Sequence, residues 1–301
     1  MKIIHCFRSP VGGIFRHVRD LLAEQTKAGH SVGFICDAST GGAYEDALFE
    51  KVRPSLALGL HRLPMARSIS PKDPITLLAI RKLIRKIGPD VVHSHSAKGG
   101  VYGRLGAVMA SSASRPIAAF YCPHGGAMHY DRASLKGKVY FAAERILERY
   151  TDSLIFISGY EQNAYHEKVG TPQCPETVVY NGLPEAEFSA VGTTAEATDF
   201  LYIGMMRDLK GPDIFIEAFR IAREKSGKNL TAMFVGDGED KDRYIRTIKA
   251  HGLSEVVSIH SAMPAREAFA KARIVVVPSR AESLPYLVLE AMAAEKPIVS
   301  T

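Results

Sequence analysis

Short apolar segments alternate with amphipathic helical segments along almost the whole chain, and this alternation restricts the possible fold more than any other feature. In the first half, the segments predicted as strands are Lys2–Cys6, Ser31–Cys36, Leu56–Leu60, Val91–His93, Ile117–Tyr121, Ser153–Ile157 and Thr177–Tyr180. The segments predicted as helices are Phe15–Ala28, Pro74–Ile87, Val101–Ala110 and Lys136–Tyr150. This order is typical of a parallel sheet that is covered by helices on both faces.

The alternation stops between Asn181 and Thr198, where Asn-Gly, a proline and a run of small residues show no period. It then restarts with the predicted strands Phe200–Ile203, Thr231–Val235, Val256–Ile259 and Ile274–Val277. A length of 301 residues also favours two domains over one. We therefore predict an α/β protein with two Rossmann-like, doubly wound domains, residues 1–182 and 183–301.

The end of the chain suggests that the second domain is incomplete. A predicted helix at Tyr286–Ala294 leads into Lys296-Pro297-Ile298-Val299, which has the pattern of another strand. A doubly wound domain normally continues with further strand and helix units. The second domain is therefore expected to be truncated at its C-terminus.

Composition and charge narrow the class of ligand. Hydrophobic residues make up 46% and charged residues 23%, the balance of a soluble globular protein. The net charge of +6 favours an anionic small ligand or a membrane surface and is too diluted to indicate nucleic acid. The sequence contains no apolar run long enough to span a bilayer and no signal-peptide pattern. Because the cysteines are scattered, we expect a reduced, cytoplasmic protein.

Glycines and histidines follow the predicted strands of the first half, where ligands of doubly wound folds bind. Gly12-Gly13 lies between the first strand and the first helix and could let backbone N–H groups approach a phosphate. His93 and His95 stand two residues apart on an extended strand end, before Lys98-Gly99-Gly100 and a helix. These residues could contact a ligand, but the sequence places no further metal ligands beside them, so no metal site is predicted.

Two more strand ends carry polar residues in the first half. His124 precedes Gly125-Gly126 on an irregular loop, which favours a ligand-binding residue over a core histidine. Ser158 and Glu161 have the spacing of a helix capping box, and that structural role is sufficient to explain them.

The second half presents cations and carboxylates in the same setting. Gly204 opens a loop that carries Arg207 and Lys210 into the start of a helix, where a diphosphate could be held. Glu282 follows a strand and Glu290 lies eight residues later inside a helix, so two carboxylates could bind the hydroxyls of a sugar and a ribose. Asp240-Lys241-Asp242 has the DxD pattern of metal-dependent sugar transferases, but here we expect it to begin a helix.

These residues together resemble the family-4 glycosyltransferases, a large group of retaining enzymes with two Rossmann-like domains (GT-B fold). The matching motifs, in family order, are Gly12-Gly13, His93-Ser94-His95, Lys98-Gly99-Gly100, His124-Gly125, Ser158 to Glu161, Asn181-Gly182, Arg207 with Lys210-Gly211, Gly236-Asp237-Gly238, and Glu282 with Glu290. The family often has Phe-Gly after the first glutamate, whereas this chain has Leu284-Pro285.

The resemblance implies a role for each matching position. Arg207 and Lys210 would bind the donor diphosphate, and Glu282 would bind the donor sugar, with the backbone of Ser283, Leu284 and Pro285 beside it. Glu290 would bind the ribose. His124 would lie near the reaction centre, Gly12 and Gly13 would approach the phosphates and the acceptor, and His93, His95 and Lys98 would lie on the acceptor side.

The implied reaction is a retaining, metal-independent transfer of a sugar from a UDP-, GDP- or ADP-sugar to a glycan or lipid-linked acceptor, with no cofactor. Such a reaction would serve polysaccharide or cell-envelope glycan synthesis. Two alternatives remain open at this point. The chain could be a truncated protein that binds nucleotide without turnover, or a GT-B sugar-nucleotide epimerase.

The segment Ile75–Ile87 combines basic and apolar residues. Arg81, Lys82, Arg85 and Lys86 alternate with apolar side chains in it. Such a helix could rest on an anionic membrane from the cytoplasmic side, or it could cover the sheet with a solvated charged face, which we favour.

Overall fold

A parallel sheet of seven strands forms the centre of the first unit, Met1–Asn181, in the computed structural model, which describes residues 1–301. Its strands are Lys2–Phe7 (β1), Ser31–Asp37 (β2), Leu60–Leu63 (β3), Val91–His95 (β4), Ala118–Cys122 (β5), Ser153–Phe156 (β6) and Glu176–Val178 (β7). They lie in the order β3-β2-β1-β4-β5-β6-β7. Since β4 pairs with β1 on the side opposite β2, the strand order reverses beside β1.

The helices of the first unit cover both faces of this sheet. They are Gly12–Lys27 (α1), Ala43–Val52 (α2), Asp73–Ile87 (α3), Ser96–Ala110 (α4), Leu135–Leu147 (α5) and Gly159–Lys168 (α6). Consecutive residues of β1 belong to different cores: Cys6 packs with Ile80 of α3, whereas Phe7 packs with Phe15 of α1. Because side chains alternate across a strand, α3 and α1 lie on opposite faces, as a doubly wound fold requires.

The second unit, Gly182–Thr301, repeats this arrangement on five parallel strands. The strands are Thr198–Ile203 (β8), Ala232–Val235 (β9), Val257–His260 (β10), Ala272–Val277 (β11) and Ile298–Ser300 (β12), in the order β10-β9-β8-β11-β12. The helices are Pro212–Ser226 (α7), Lys241–Ala250 (α8), Ala265–Ala270 (α9) and Tyr286–Ala293 (α10). Tyr202 packs with α7 and α8, and its neighbour Leu201 packs with α9 and α10.

The predicted fold class, two Rossmann-like α/β domains, is confirmed, but two elements at the edge of the first sheet were predicted wrongly. The strand expected at Leu56–Leu60 lies at Leu60–Leu63, and helix α2 was not predicted at all. Neither element shows a clear hydrophobic period in the sequence. All of β3 is half-buried, without alternation of buried and exposed residues, and Phe49 is the only buried residue of α2.

Helix α4 begins five residues earlier than the sequence suggested, at Ser96 rather than Val101. Gly99 and Gly100 therefore lie inside the helix and are buried, rather than preceding it as an anion-binding turn. A Cβ atom on Gly99 would stand 2.8 Å from the carbonyl oxygen of Cys6 and from Cα of Phe7. These glycines allow α4 to pack closely on the sheet.

Helix α3 is a sheet-covering helix, as we favoured, but it also carries exposed apolar side chains. Ile80 and Ile84 are buried in the core, whereas Ile75 and Leu78 are 70% and 53% exposed. None of the helices is both long and apolar enough to cross a membrane.

Candidate functional site

Five histidines gather at the carboxyl end of the strands next to the point where the first sheet reverses its strand order. His5 lies on β1, His93 and His95 lie on β4, His17 lies on α1, and His124 follows β5. The rings of His93 and His95 have centroids 4.2 Å apart, and those of His17 and His124 are 4.6 Å apart. Folding thus brings the predicted residues His93, His95 and His124 together.

Hydrogen bonds join three of these histidines into a chain. His5 Nε2 is 2.8 Å from Oε1 of Gln25, which can only accept, so His5 donates there. His5 Nδ1 then accepts from Nε2 of His95 at 2.9 Å. His95 Nδ1 accepts in turn from Nε2 of His124 at 3.0 Å. Gln25 thereby sets the tautomer of all three rings and the orientation of His124.

Burial keeps this cluster uncharged. It lowers the pKa of His5 to about 4, although the hydrogen bond to Gln25 acts in the opposite direction. It also lowers the pKa of His17 to about 4 against the hydrogen bond to Asn181. Burial, together with neighbouring rings, holds the pKa values of His93, His95 and His124 well below the usual range. At neutral pH the cluster therefore offers ring nitrogens as hydrogen-bond acceptors.

The first unit is expected to lose stability when the pH falls from 6.5 towards 4. Within this window the unfolded chain binds protons at histidines that stay neutral in the folded state, so the free energy of unfolding decreases as pH decreases. For His5 alone the expected loss is about 3 kcal/mol. Urea unfolding at stepped pH values measures it, and His5→Gln should flatten the profile.

The matched control is His30→Gln, which removes a histidine outside the cluster and should leave the wild-type pH profile intact. An unfolding midpoint that does not change between pH 7 and pH 4.5 would contradict the assignment of neutral rings.

The loop that carries His124 is held in an unusual backbone conformation. His124 has a φ of 52°, in the left-handed region, and Gly125 and Gly126 follow at 75° and 35°. Glu161 accepts hydrogen bonds from the backbone N–H of Gly125 and, at 2.8 Å, of Ile157. Ser158 caps α6 as predicted, by accepting from the backbone N–H of Glu161 at 3.0 Å. The carboxylate of Glu161, however, positions the His124 loop, a role that its helix-cap spacing did not reveal.

The other predicted residues of the first unit lie in two further places. Gly12 begins α1 with a φ of 58°, and both Gly12 and Gly13 are exposed. The N-cap residue Val11 makes no side-chain hydrogen bond to the first turn of this helix. The Lys98 ammonium contacts the carboxylate of Asp73 at the start of α3, which also accepts from Tyr102 at 2.7 Å. This pairing holds α4 against α3.

In the second unit, two loops that follow neighbouring strands pack backbone against backbone. The loop after β8 runs from Gly204 to Arg207, and Met206 donates its N–H to the carbonyl of Asp237 at 2.9 Å. A Cβ atom on Gly236 would lie 2.1 Å from the carbonyl oxygen of Gly204. Only glycine allows this approach, so Gly236 fixes the loop that presents Arg207.

Lys210 and Glu282 lie 72 residues apart in the chain and form an ion pair. Lys210 ends a short 3₁₀ turn, Asp208–Lys210, and Glu282 lies in the loop after β11. The two side chains are 27% and 24% exposed. Folding thus brings together the cation predicted for phosphate and the carboxylate predicted for sugar.

The backbone around this pair is closely packed. A Cβ atom on Gly211, whose φ is 65°, would lie 1.9 Å from the carbonyl oxygen of Pro278. Arg280 also joins the two segments, since its guanidinium contacts Asp213 at 2.5 Å and the carbonyl of Asp208 at 2.5 Å. The turn that carries Lys210 is therefore held rigidly against the end of β11.

The residues from Ser283 to Glu290 form the next part of this edge. Ser283, Leu284 and Pro285 are half-buried in the loop, and α10 begins at Tyr286. Glu290 lies half-buried in the second turn of that helix. Asp240 precedes α8 and Asp242 lies in its first turn, as expected of the DxD sequence.

Comparison with known proteins identifies the relatives of both units. The sequence model of Glycosyltransferase Family 4 matches residues 11–187, and that of Glycosyl transferases group 1 matches residues 185–301. The chain is 26% identical to a glycogen synthase of Mycobacterium tuberculosis over 97% of its own length and 74% of that protein. It is also 26% identical to an uncharacterised glycosyltransferase of Methanocaldococcus jannaschii, over 73% of its own length and 58% of that protein.

The fold is also similar to that of a solved structure, the S. aureus TarM protein in a complex that contains UDP. The TM-score is 0.73 at 10% identity, and the match covers 100% of this chain and 85% of that one. At this identity the likeness concerns the fold.

Proposed function

Because the chain belongs to glycosyltransferase family 4, whose members transfer sugars and share the two-Rossmann-domain GT-B fold, we propose that it transfers a sugar from a nucleoside-diphosphate sugar to a glycan or lipid-linked acceptor. The observation that carries this proposal is the ion pair between Lys210 and Glu282 at the carboxyl edge of the second sheet. In this pair, the cation that we propose for the phosphate lies beside the carboxylate that we propose for the sugar hydroxyls.

In this proposal the donor binds along the edge of the second unit. Arg207 and Lys210 hold the diphosphate, with Gly204 in the adjoining loop. Glu282 and the backbone of Ser283, Leu284 and Pro285 bind the sugar, and Glu290 binds the ribose. The rigid packing of Gly211 on Pro278 supports it, because a preorganised cation stabilises charge without further rearrangement.

The chemical step is a transfer with retention that needs no metal ion. The bond between the anomeric carbon and the phosphate oxygen breaks, and the acceptor oxygen bonds to that carbon on the same face. The departing phosphate takes the acceptor proton, and Arg207 and Lys210 stabilise its charge. For the first unit, the proposal assigns Gly12 and Gly13 to the phosphates and the acceptor, and His124 to the reaction centre. His93, His95 and Lys98 serve on the acceptor side.

The donor is a UDP-, GDP- or ADP-sugar, and the UDP in the structurally similar TarM complex makes UDP-sugars the first to be tested. The experiment measures release of nucleoside diphosphate from each sugar nucleotide with mixed glycan acceptors and a chelator. One nucleotide series should turn over and transfer its sugar despite the chelator. Interconversion of the sugar nucleotide without transfer would indicate an epimerase, and binding without any turnover would indicate a non-catalytic protein.

Contact with the inner face of a membrane is part of the proposal for a lipid-linked acceptor. Ile75 and Leu78 are exposed on α3, and Lys82 and Arg85 of the same helix are exposed as well. Exposed apolar side chains beside basic ones favour binding to an anionic bilayer surface. The Ile75→Ser/Leu78→Ser variant should sediment less with phosphatidylglycerol vesicles than the wild type, and equal sedimentation would contradict membrane contact through α3.

A further inference from the structure

Three histidines and one cysteine of the first unit converge on one point at the carboxyl edge of its sheet. They are His17 from α1, His95 from β4, Cys122 from β5 and His124 from the following loop. One ligand atom from each lies within 4.8 Å of all the others. These residues come from four separate chain segments, so the grouping is created by the fold.

We propose that His17, His95, Cys122 and His124 form a binding site for a divalent transition-metal ion with tetrahedral preference, Zn²⁺ above all. Three imidazole nitrogens and one thiolate are ligands that zinc accepts in tetrahedral sites. Mg²⁺ and Ca²⁺ require oxygen ligands, and this group offers none. The chemistry of the side chains therefore selects a borderline or soft ion over the divalent ions of phosphate sites.

The hydrogen bonds behind the ligands suit a metal site. Without the ion, His95 Nδ1 accepts from His124 Nε2, and this bond between two of the ligands is replaced when the ion binds. On the other side of its ring, His95 Nε2–H donates to His5 Nδ1, and His5 donates in turn to Gln25. On His17, Nδ1 lies 3.1 Å from Oδ1 of Asn181 and donates to it. Ligating histidines generally donate their second N–H to such a partner, which fixes the ring and raises its basicity.

The geometry requires only a small contraction. Ligand atoms around a tetrahedral zinc ion lie ~3.4 Å apart, given metal–ligand distances of about 2.0–2.3 Å. His17 and His124 are half-buried rather than buried, so an ion can reach the group past them. When it binds, the proton of His124 moves from Nε2 to Nδ1. The imidazoles are already neutral, and the Cys122 thiol gives its proton to solvent when the ion binds.

A second group of histidines beside the site provides an internal comparison. His5, His93 and His95 also lie within 4.8 Å of one another, and Nε2 of His93 is buried without a hydrogen-bond partner. That group shares His95 but has no sulfur ligand and lies wholly within the core. The proposal assigns the ion to the group with Cys122, and His93 variants separate the two.

Occupation of His124 by the ion has a consequence for catalysis that rests on the proposed function. A metal-bound His124 is not available near the reaction centre, so added Zn²⁺ should slow sugar transfer in the wild type and slow it less in Cys122→Ser. Metal binding itself is measured without any donor, so failure of sugar transfer leaves the test of the site unaffected.

The experiment titrates the chelator-treated full chain with Co²⁺ and records its absorption. One Co²⁺ per chain should bind, with the intense visible bands of a tetrahedral site and a thiolate-to-cobalt charge-transfer band, and Zn²⁺ should displace it. Cys122→Ser should lose the charge-transfer band. It should also bind Co²⁺ more weakly by at least the ~10-fold that loss of a partner behind a ligand already causes. His124→Asn should weaken binding similarly, and asparagine tolerates the left-handed backbone at this position.

The controls decide between a built site and a general affinity for metal. Cys174→Ser removes a half-buried cysteine outside the group and should bind Co²⁺ as the wild type does. The proposal is overturned if no Co²⁺ binds, or if Cys122→Ser retains the full spectrum. It is equally overturned if His93→Asn abolishes binding while Cys122→Ser does not.

Discussion

The Lys210→Ala variant is expected to transfer sugar about 10²–10³-fold more slowly than the wild type, measured as kcat/KM. Lys210 is held by a turn that packs against Pro278, so its charge is fixed before the donor diphosphate begins to leave. Removal of one preorganised partner for a developing negative charge has an effect of this size. Lys210→Arg should recover part of the loss, because the charge remains although the geometry differs.

Two comparisons separate this effect from a change in folding. Lys225→Ala removes an exposed lysine of α7 in the same unit and should keep wild-type activity. The thermal unfolding of Lys210→Ala should stay close to that of the wild type, because its partner Glu282 is partly solvated. Wild-type kcat/KM in Lys210→Ala would rule out a role for this lysine at the diphosphate.

The Glu144→Ala variant is expected to lose about 3–5 kcal/mol of unfolding free energy. Arg104 is fully buried, and its guanidinium donates to Glu144 at 2.7 Å. The hydroxyl of Tyr121 donates to the same carboxylate at 2.9 Å, and Arg104 also lies 3.8 Å from the centre of the Tyr121 ring. Without Glu144, the core retains an uncompensated positive charge and an unpaired hydroxyl.

Urea unfolding measures this loss, with the exposed pair Glu50–Arg53 as the control, since Glu50→Ala should leave the midpoint unchanged. The double variant Arg104→Met/Glu144→Leu should be more stable than Glu144→Ala, because it removes both charges and fills the space. A Glu144→Ala variant as stable as the wild type would show that the buried pair contributes nothing.

The sequence predicted the fold because its helical and strand periods are strong at the centre of each sheet. Strands such as β1 and β9 are buried almost throughout and read as apolar runs. The predictions were wrong where burial is weak, as in β3, and where small residues conceal a helix, as in the glycine-rich start of α4. Local composition carries no signal for a helix that must approach a sheet closely.

The candidate sites were predictable as strand ends but not as sets of contacts. In each sheet, the carboxyl ends of the parallel strands lie at the same edge. This rule alone was enough to nominate His95 and His124 as candidate ligand-binding residues in the first unit, and Arg207 and Glu282 in the second. The pairing of His5 with His95 depends on the register of β1 against β4, in which His5 lies opposite His93. No sequence pattern sets that register, so the roles of His5, His17 and Glu161 became visible only in the structure.

Calorimetric titration of the full chain with UDP, GDP and ADP tests the central claim, that the second unit binds a nucleoside diphosphate through Arg207 and Lys210. One of the three nucleotides should bind with one site per chain in the presence of a chelator. Arg207→Ala and Lys210→Ala should each weaken that binding by about tenfold or more, since each removes a charge-assisted hydrogen bond worth ~1.5–3 kcal/mol. Lys225→Ala should bind as the wild type does. If none of the nucleotides binds to the folded wild type, or if both variants bind as tightly as the wild type, the claim is wrong.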